Sequence, residues 1–210
     1  MSAYLLRNTK ALSLVAGFLF AFVGSLWSFV IVDRLGEQAR QLSDIKVELQ
    51  RQIASLNGIA SDYFIANQQG DLIFILRLQS GARHDVADLV YRGNMLDRAT
   101  PVRNMIGALA LAKQLDYRTT YDAYAKLNDE ARANLSPRSF GRLKQAEKAI
   151  ITKGQDRVPL LLNDLFQVET AINANEAKQK QNRVLGIIAS NFGAFLLLCA
   201  NLIATRAEAD

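Results

Sequence analysis

Protein chemistry is usually carried by histidine, cysteine, activated serine and paired carboxylates, and this chain offers few of them in a usable pattern. His84 is the single histidine. It stands between Arg83 and Asp85 and before Val86 on an expected helix, where an imidazole beside a carboxylate reads as a solvated side chain rather than a metal ligand or acid–base group. With one histidine and one cysteine, Cys199, neither a zinc ligand set nor a Ser/His/Asp arrangement can be assembled. A Gly-rich phosphate loop is also missing. Accordingly no catalytic residue, cofactor or metal is assigned, and an enzyme is not expected. Two clusters remain. Arg77, Arg83, Arg92, Arg98 and Arg103 could gather an anion, but Asp85, Asp88 and Asp97 are interleaved with them, so a solvated helix face laced with ion pairs is expected. Tyr117, Tyr121 and Tyr124 share one helical region and are expected to pack in a core or interface rather than cage a ligand.

The elements that would position these residues are dominated by two uncharged apolar runs, residues 11–32 and 184–205. As a helix, each is about 33 Å long, enough to cross a hydrocarbon core of about 30 Å. A secretory signal is set aside for the first run, because the apolar stretch continues through Trp27 to Val32 and lacks an A-x-A-like cleavage site. A charge-free soluble core helix of this length is uncommon, which favours membrane spans for both runs. Each also carries small residues on one helix face: Ser13, Gly17, Ala21, Gly24 and Ser28 in the first, Gly186, Ser190, Gly193 and Ala200 in the second. Lipid tails give apolar helices no reason to associate, so close backbone approach at such stripes is the expected packing face, against each other or a second copy. Asn191 and Asn201 could add interhelical hydrogen bonds. Cys199 lies in the second run, so no intrachain disulfide is available.

Between the runs, 22 Lys plus Arg face 18 Asp plus Glu, interspersed, which leaves no basic footprint for nucleic acid. Residues 33–183 make one domain's worth of core. Leu35, Leu42, Leu49, Leu56 and Tyr63 recur every seven residues, with Ile45, Ile53 and Ile59 beside them, as a bundle or coiled-coil seam expected to support a dimer. The first helix is expected to run from the first span to about Gln69 and stop at Gly70-Asp71. A second is expected from Asp71 to Arg98. Thr100-Pro101 and Ser136-Pro137 read as N-caps followed by proline, starting helices at Pro101 and Pro137, with another at about residues 119–134 between them. Gly154 should end the segment from Pro137, and Asp156 should start the last helix, with Pro159 in its first turn. Strand and hairpin signals are almost absent. The fold class is therefore all-α, with two transmembrane helices flanking an extramembrane, four-helix-bundle-like domain. The expected divisions are an N-terminal tail (1–10), span (11–32), bundle (33–183), span (184–205) and C-terminal tail (206–210).

Residues Ala60-Ser61-Asp62-Tyr63-Phe64-Ile65-Ala66-Asn67-Gln68-Gln69-Gly70-Asp71 resemble the end of the first helix in the membrane-anchored four-helix-bundle sensor domains of bacterial chemoreceptors and histidine kinases. Ala174-Asn175-Glu176-Ala177-Lys178 resemble the final helix of those domains leading into the second span. The resemblance covers most of the chain but rests on motifs general to amphipathic helices. Those receptors continue into coupling and signalling domains, whereas only Thr205-Arg206-Ala207-Glu208-Ala209-Asp210 follow here, so no output domain is expected. Three basic residues on the tail side (Arg7, Lys10, Arg206) against five on the domain side (Arg34, Arg40, Lys178, Lys180, Arg183) lean slightly towards a cytoplasmic domain. Long domains, however, cross largely regardless of nearby charge, and the flanks of the first span alone are tied, two against two. The resemblance then implies a multi-pass protein of the bacterial inner membrane with an extracytoplasmic bundle and cytoplasmic termini. It implies a sensor-like or regulatory protein acting through a partner membrane protein or a second copy, with a small-molecule ligand left open. The alternative is an accessory subunit stabilising a membrane complex.

Overall fold

The computed structural model describes residues 2–79 and 84–207. They form four helices: α1 (Ser2–Gln79), α2 (His84–Leu111), α3 (Tyr117–Ala133) and α4 (Pro137–Ala207), with no strand among the described residues. The chain divides into two compact units, one of Met1–Val47 with Phe166–Asp210 and one of Glu48–Leu165.

Helix ends follow local chemistry. Ser136 caps α4, its Oγ accepting from the Ser139 amide at 3.2 Å, and Pro137 takes the first helical position, where a missing N–H costs nothing. Asp116 caps α3 by accepting from the Thr119 amide at 2.7 Å. At the end of α2, Lys113 adopts φ 56° while the Gln114 and Lys113 amides reach back to the Leu109 and Ala110 carbonyls, at 2.9 and 2.8 Å. That reversal is the Schellman pattern, with lysine at the left-handed position usually held by glycine.

Three expected helix breaks are not breaks. Gly70-Asp71 lies inside α1, Thr100-Pro101 inside α2, and Gly154 with Pro159 inside α4. A Cβ on Gly70 would run into Asn94 Oδ1 and come within 3.3 Å of Arg98 Nη1, and one on Gly154 would meet Met105 Sδ. Both glycines are therefore sites of close helix approach, not stops. The prolines free the carbonyls of Asp97 and Gln155 from their helical partners, and both residues are exposed, so water can meet those groups.

In the unit Glu48–Leu165 all four helices contribute to one core. Tyr91, Met95, Arg98, Val102, Met105 and Leu109 succeed one another at spacings of three and four on α2, all buried. Leu143, Glu147 and Ile151 are buried on α4, and Tyr124 and Ala131 on α3. The α1 seam is spent here: Leu56 and Tyr63 are in the core, with Leu49, Ile53 and Ile59 packed against it. From Leu49 to Tyr63 the heptad is thus intramolecular core rather than a surface reserved for a second copy. Neighbouring helices pair in opposite senses, Arg77 with Asp88 and Ala66 with Asn94 between α1 and α2, Asp71 with Lys144 between α1 and α4. The result is an up-and-down bundle with short connections.

In the other unit α1 and α4 lie side by side through small residues. A Cβ built on Gly17 would sit 2.9 Å from the Gly193 oxygen, and one on Gly24 would sit 2.8 Å from the Ser190 nitrogen. Large apolar side chains, among them Phe18, Phe29, Ile188, Phe195 and Leu198, face outward and are exposed. Both helices are long and apolar enough to cross a membrane.

Volume at Gly154 should be felt through the core. Gly154→Val forces Met105 aside and is expected to cost about 1–3 kcal/mol, and Leu56→Ala about 2–5 kcal/mol, in urea unfolding of the detergent-solubilised chain. A loss below about 0.5 kcal/mol for both would mean that neither position is packed as described.

Candidate functional site

The inward stripe of α2 is apolar except at Asn94 and Arg98, and that of α4 except at Glu147. Their alignment brings a guanidinium and a carboxylate together in the bundle interior, both fully removed from solvent. Arg98 Nε lies 3.7 Å from Glu147 Oε2, close enough for an ion pair but long for a hydrogen bond. Tyr63 on α1 donates its hydroxyl to the same oxygen at 3.4 Å, and the Tyr124 hydroxyl of α3 also faces Glu147. Each of the four helices therefore sends one polar side chain to a single point.

The surroundings compensate only in part. Arg98 lies over the Phe140 ring, its Cζ 5.0 Å from the centroid, a cation–π arrangement. Phe140 is held by Phe74 and Tyr91, with centroids at 5.2 and 5.4 Å. Asn94 donates to the Ala66 carbonyl at 3.0 Å. Still without hydrogen-bond partners are the three guanidinium nitrogens of Arg98, Glu147 Oε1, Asn94 Oδ1, and the hydroxyls of Tyr91 and Tyr124. A buried polar atom left unbonded costs about 1–3 kcal/mol, so the bundle has placed its least satisfied groups where apolar residues would pack more cheaply.

Electrostatics follow from burial. Burial pushes the Glu147 carboxyl above the ordinary glutamate range, opposed by Arg98, by the Tyr63 and Tyr124 hydroxyls and by Lys144. Burial likewise raises Tyr63, Tyr91 and Tyr124, so all three phenols stay protonated at neutral pH, and the Tyr63 hydroxyl donates to Glu147. At the edge, Lys144 pairs with Asp71 at 2.6 Å while its Nζ lies 5.8 Å from the Phe140 centroid.

No protein-family model, curated protein or solved structure matches the chain.

Among the residues singled out from sequence, the arginines part company. Arg77 pairs with Asp88 and Arg103 donates to the Ala99 carbonyl at 3.4 Å. Arg92 is exposed, and Arg83 lies outside the described residues. Arg98, expected on the solvated face, is instead buried, because its place in the Tyr91–Met95–Arg98–Val102 rhythm turns it inward. The described arginines thus do not form one patch. Tyr124 enters the core and Tyr121 packs against it, while Tyr117 and Tyr121 stack with centroids 5.6 Å apart. The side chain of His84 lies outside the described residues. Among the described residues, no group of three or more His, Cys, Asp or Glu side chains could hold a metal ion.

In the apolar unit, Gly17 and Ala21 meet Gly193, Gly24 meets Ser190, and Ser28 meets Gly186. Ser13 is half-buried on the same stripe. Trp27 Nε1 donates to Asn182 Oδ1 at 3.2 Å and Gln179 to the Val32 carbonyl at 3.4 Å. Asn191 is exposed. Sequence reasoning missed Glu147 and the inward turn of Arg98, although both occupy apolar-stripe positions.

Arg98→Met should cost about 3–5 kcal/mol, because Glu147 is left buried without its charged partner and must either stay uncompensated or take up a proton, whereas Arg98→Met with Glu147→Leu should recover most of that loss. The pH dependence has a fixed sign. A carboxyl whose folded pKa lies above its unfolded one favours the folded state more as pH falls from the folded value to the unfolded one. Relative to Glu147→Gln, the native chain should gain stability on acidification from neutral pH toward the ordinary glutamate range. Denaturation curves in which the native chain loses ground to the variant over that window would reverse the assignment.

Proposed function

We propose that the chain is a membrane-anchored, sensor-like regulatory protein of a bacterial inner membrane, with its helical bundle outside the cytoplasm and no catalytic role of its own. The observation carrying this reading is that α1 and α4 each combine an apolar, span-length segment with a segment of the bundle without an intervening helix end. A change in how the bundle packs would then be passed along two continuous helices, and small sliding or rotation of packed helices is an established form of signal. The buried Arg98–Glu147 pair supports the same reading, since all four helices send a side chain to that one level and any change in their packing would alter its geometry. The apolar pair is suited to deliver such motion, because its glycines bring two backbones into contact without side chains between them. The receiver is a partner membrane protein or a second copy.

The test uses the stripe. Cysteines replacing Trp27 and Asn182, in a Cys199→Ser background, should crosslink readily because the native side chains hydrogen-bond. Gly17→Ile with Gly24→Ile should abolish that crosslink while leaving the chain inserted, and Leu19→Phe with Leu26→Phe on the outward side should not. Undiminished crosslinking in the isoleucine pair would remove the packed helix pair on which transmission depends. Cysteines at Gln79 or Lys126 should react with an impermeant maleimide in cells stripped of their outer barrier, and labelling only after lysis would put the bundle in the cytoplasm.

A further inference from the structure

Lower in the bundle unit than Arg98, a cleft of about 540 Å³ opens between α1, the end of α2, and α4. Its size falls within the range of small-molecule sites. Two walls are cationic: Arg51 on α1 and half-buried Arg157 on α4, neither with an ion pair or hydrogen-bond partner among the described residues. Glu48, the one acidic lining residue, is engaged along its own helix, accepting from Gln52 Nε2 at 3.0 Å. The floor is apolar, made by Leu56 and Ala108. At the rim stands Leu111, 89 % exposed, an unusual place for leucine at the last position of a helix. The walls are fixed: Lys153 of α4 donates to the Gln114 carbonyl at 3.0 Å, and the Schellman turn through Lys113 anchors the end of α2.

Two unpaired arginines lining one cleft with an apolar floor match one ligand chemistry. Arginine's planar fork takes a carboxylate through paired hydrogen bonds, and an apolar body on that acid would cover Leu56, Ala108 and Leu111. We propose that this cleft binds a small carboxylic acid with an apolar body, its carboxylate held between Arg51 and Arg157 and its hydrocarbon part against Leu111. The site stands on the geometry of the bundle unit alone. Its role as an input rests on the regulatory reading above, since the ligand would join α1 to α4, the two helices that carry the apolar segments.

Phenylacetate is the probe, titrated calorimetrically into the full chain in phosphatidylcholine nanodiscs. One saturable site is expected. Arg51→Gln and Arg157→Gln should each weaken it by about ten-fold or more, as expected for a charge-assisted hydrogen bond. Leu111→Ser should weaken it by about three-fold for lost apolar contact. Phenylacetamide, of the same shape without the charge, and inorganic sulfate, with charge but no apolar body, should not bind measurably. Circular dichroism of each variant guards against unfolding, and all three positions lie away from the sealed core. No saturable heat up to about 10 mM phenylacetate overturns the site. So does equal binding by both glutamine variants, and equal affinity for the amide or sulfate overturns the ligand class. Binding that leaves the Trp27→Cys/Asn182→Cys crosslinking rate unchanged would keep the site and count against the regulatory reading, which separates the two.

Discussion

A guanidinium and a carboxylate taken wholly out of water must be matched by the groups around them, and Arg98 with Glu147 imposes that demand on every helix of the bundle. Arginine cannot shed its charge, so its burial obliges a carboxylate, an aromatic face and hydrogen-bond acceptors to be nearby. The bundle supplies Glu147 from α4, the Phe140 ring at 5.0 Å, and Tyr63 and Tyr124 from α1 and α3. The glycine at position 70 follows from the same demand, because a side chain there would occupy space taken by Asn94 and the Arg98 guanidinium. Residues far apart in sequence are thus fixed by one buried charge pair.

The match is incomplete, and the incompleteness is informative. Replacing such a pair with well-packed apolar residues is often neutral or stabilising, so a charged core is poor evidence for stability as its purpose. In a bundle core made mostly of Leu, Ile, Met, Val, Ala and Tyr, a charged level at which all four helices meet sets their register, much as one buried polar residue fixes a coiled coil. It also makes that level sensitive to proton binding and to any change in spacing. The basic cleft lies on the same unit and touches three of the four helices, α1, α2 and α4.

The helical character, the apolar runs and the small-residue faces were legible in the sequence because each is a local, periodic property. Ser136-Pro137 was legible for the same reason: the cap and the proline act within one turn. What was not legible came from reading Gly70, Pro101 and Gly154 as punctuation. Glycine in a helix can equally mark where a neighbouring side chain presses in, and only the partner, Asn94 or Met105, distinguishes the two. The false break at Pro101 had a further consequence. It cut the α2 rhythm between Arg98 and Val102, so the stripe that turns Arg98 inward was not followed across it. Glu147 was hidden likewise, since a charged residue in an amphipathic helix reads as surface until its stripe is traced from Leu143 to Ile151.

The central claim is that the state of the Arg98–Glu147 level is felt along α1 and α4 in the apolar unit. Its most direct test places nitroxide labels at exposed Ser43 and Lys178, in the full chain with Cys199→Ser in nanodiscs, and compares distance distributions for the native core and for Glu147→Gln. The account predicts a displaced distribution, by about 1–2 Å as for packed helices that slide. Superimposable distributions, in a variant whose unfolding shows the core has changed, would contradict it.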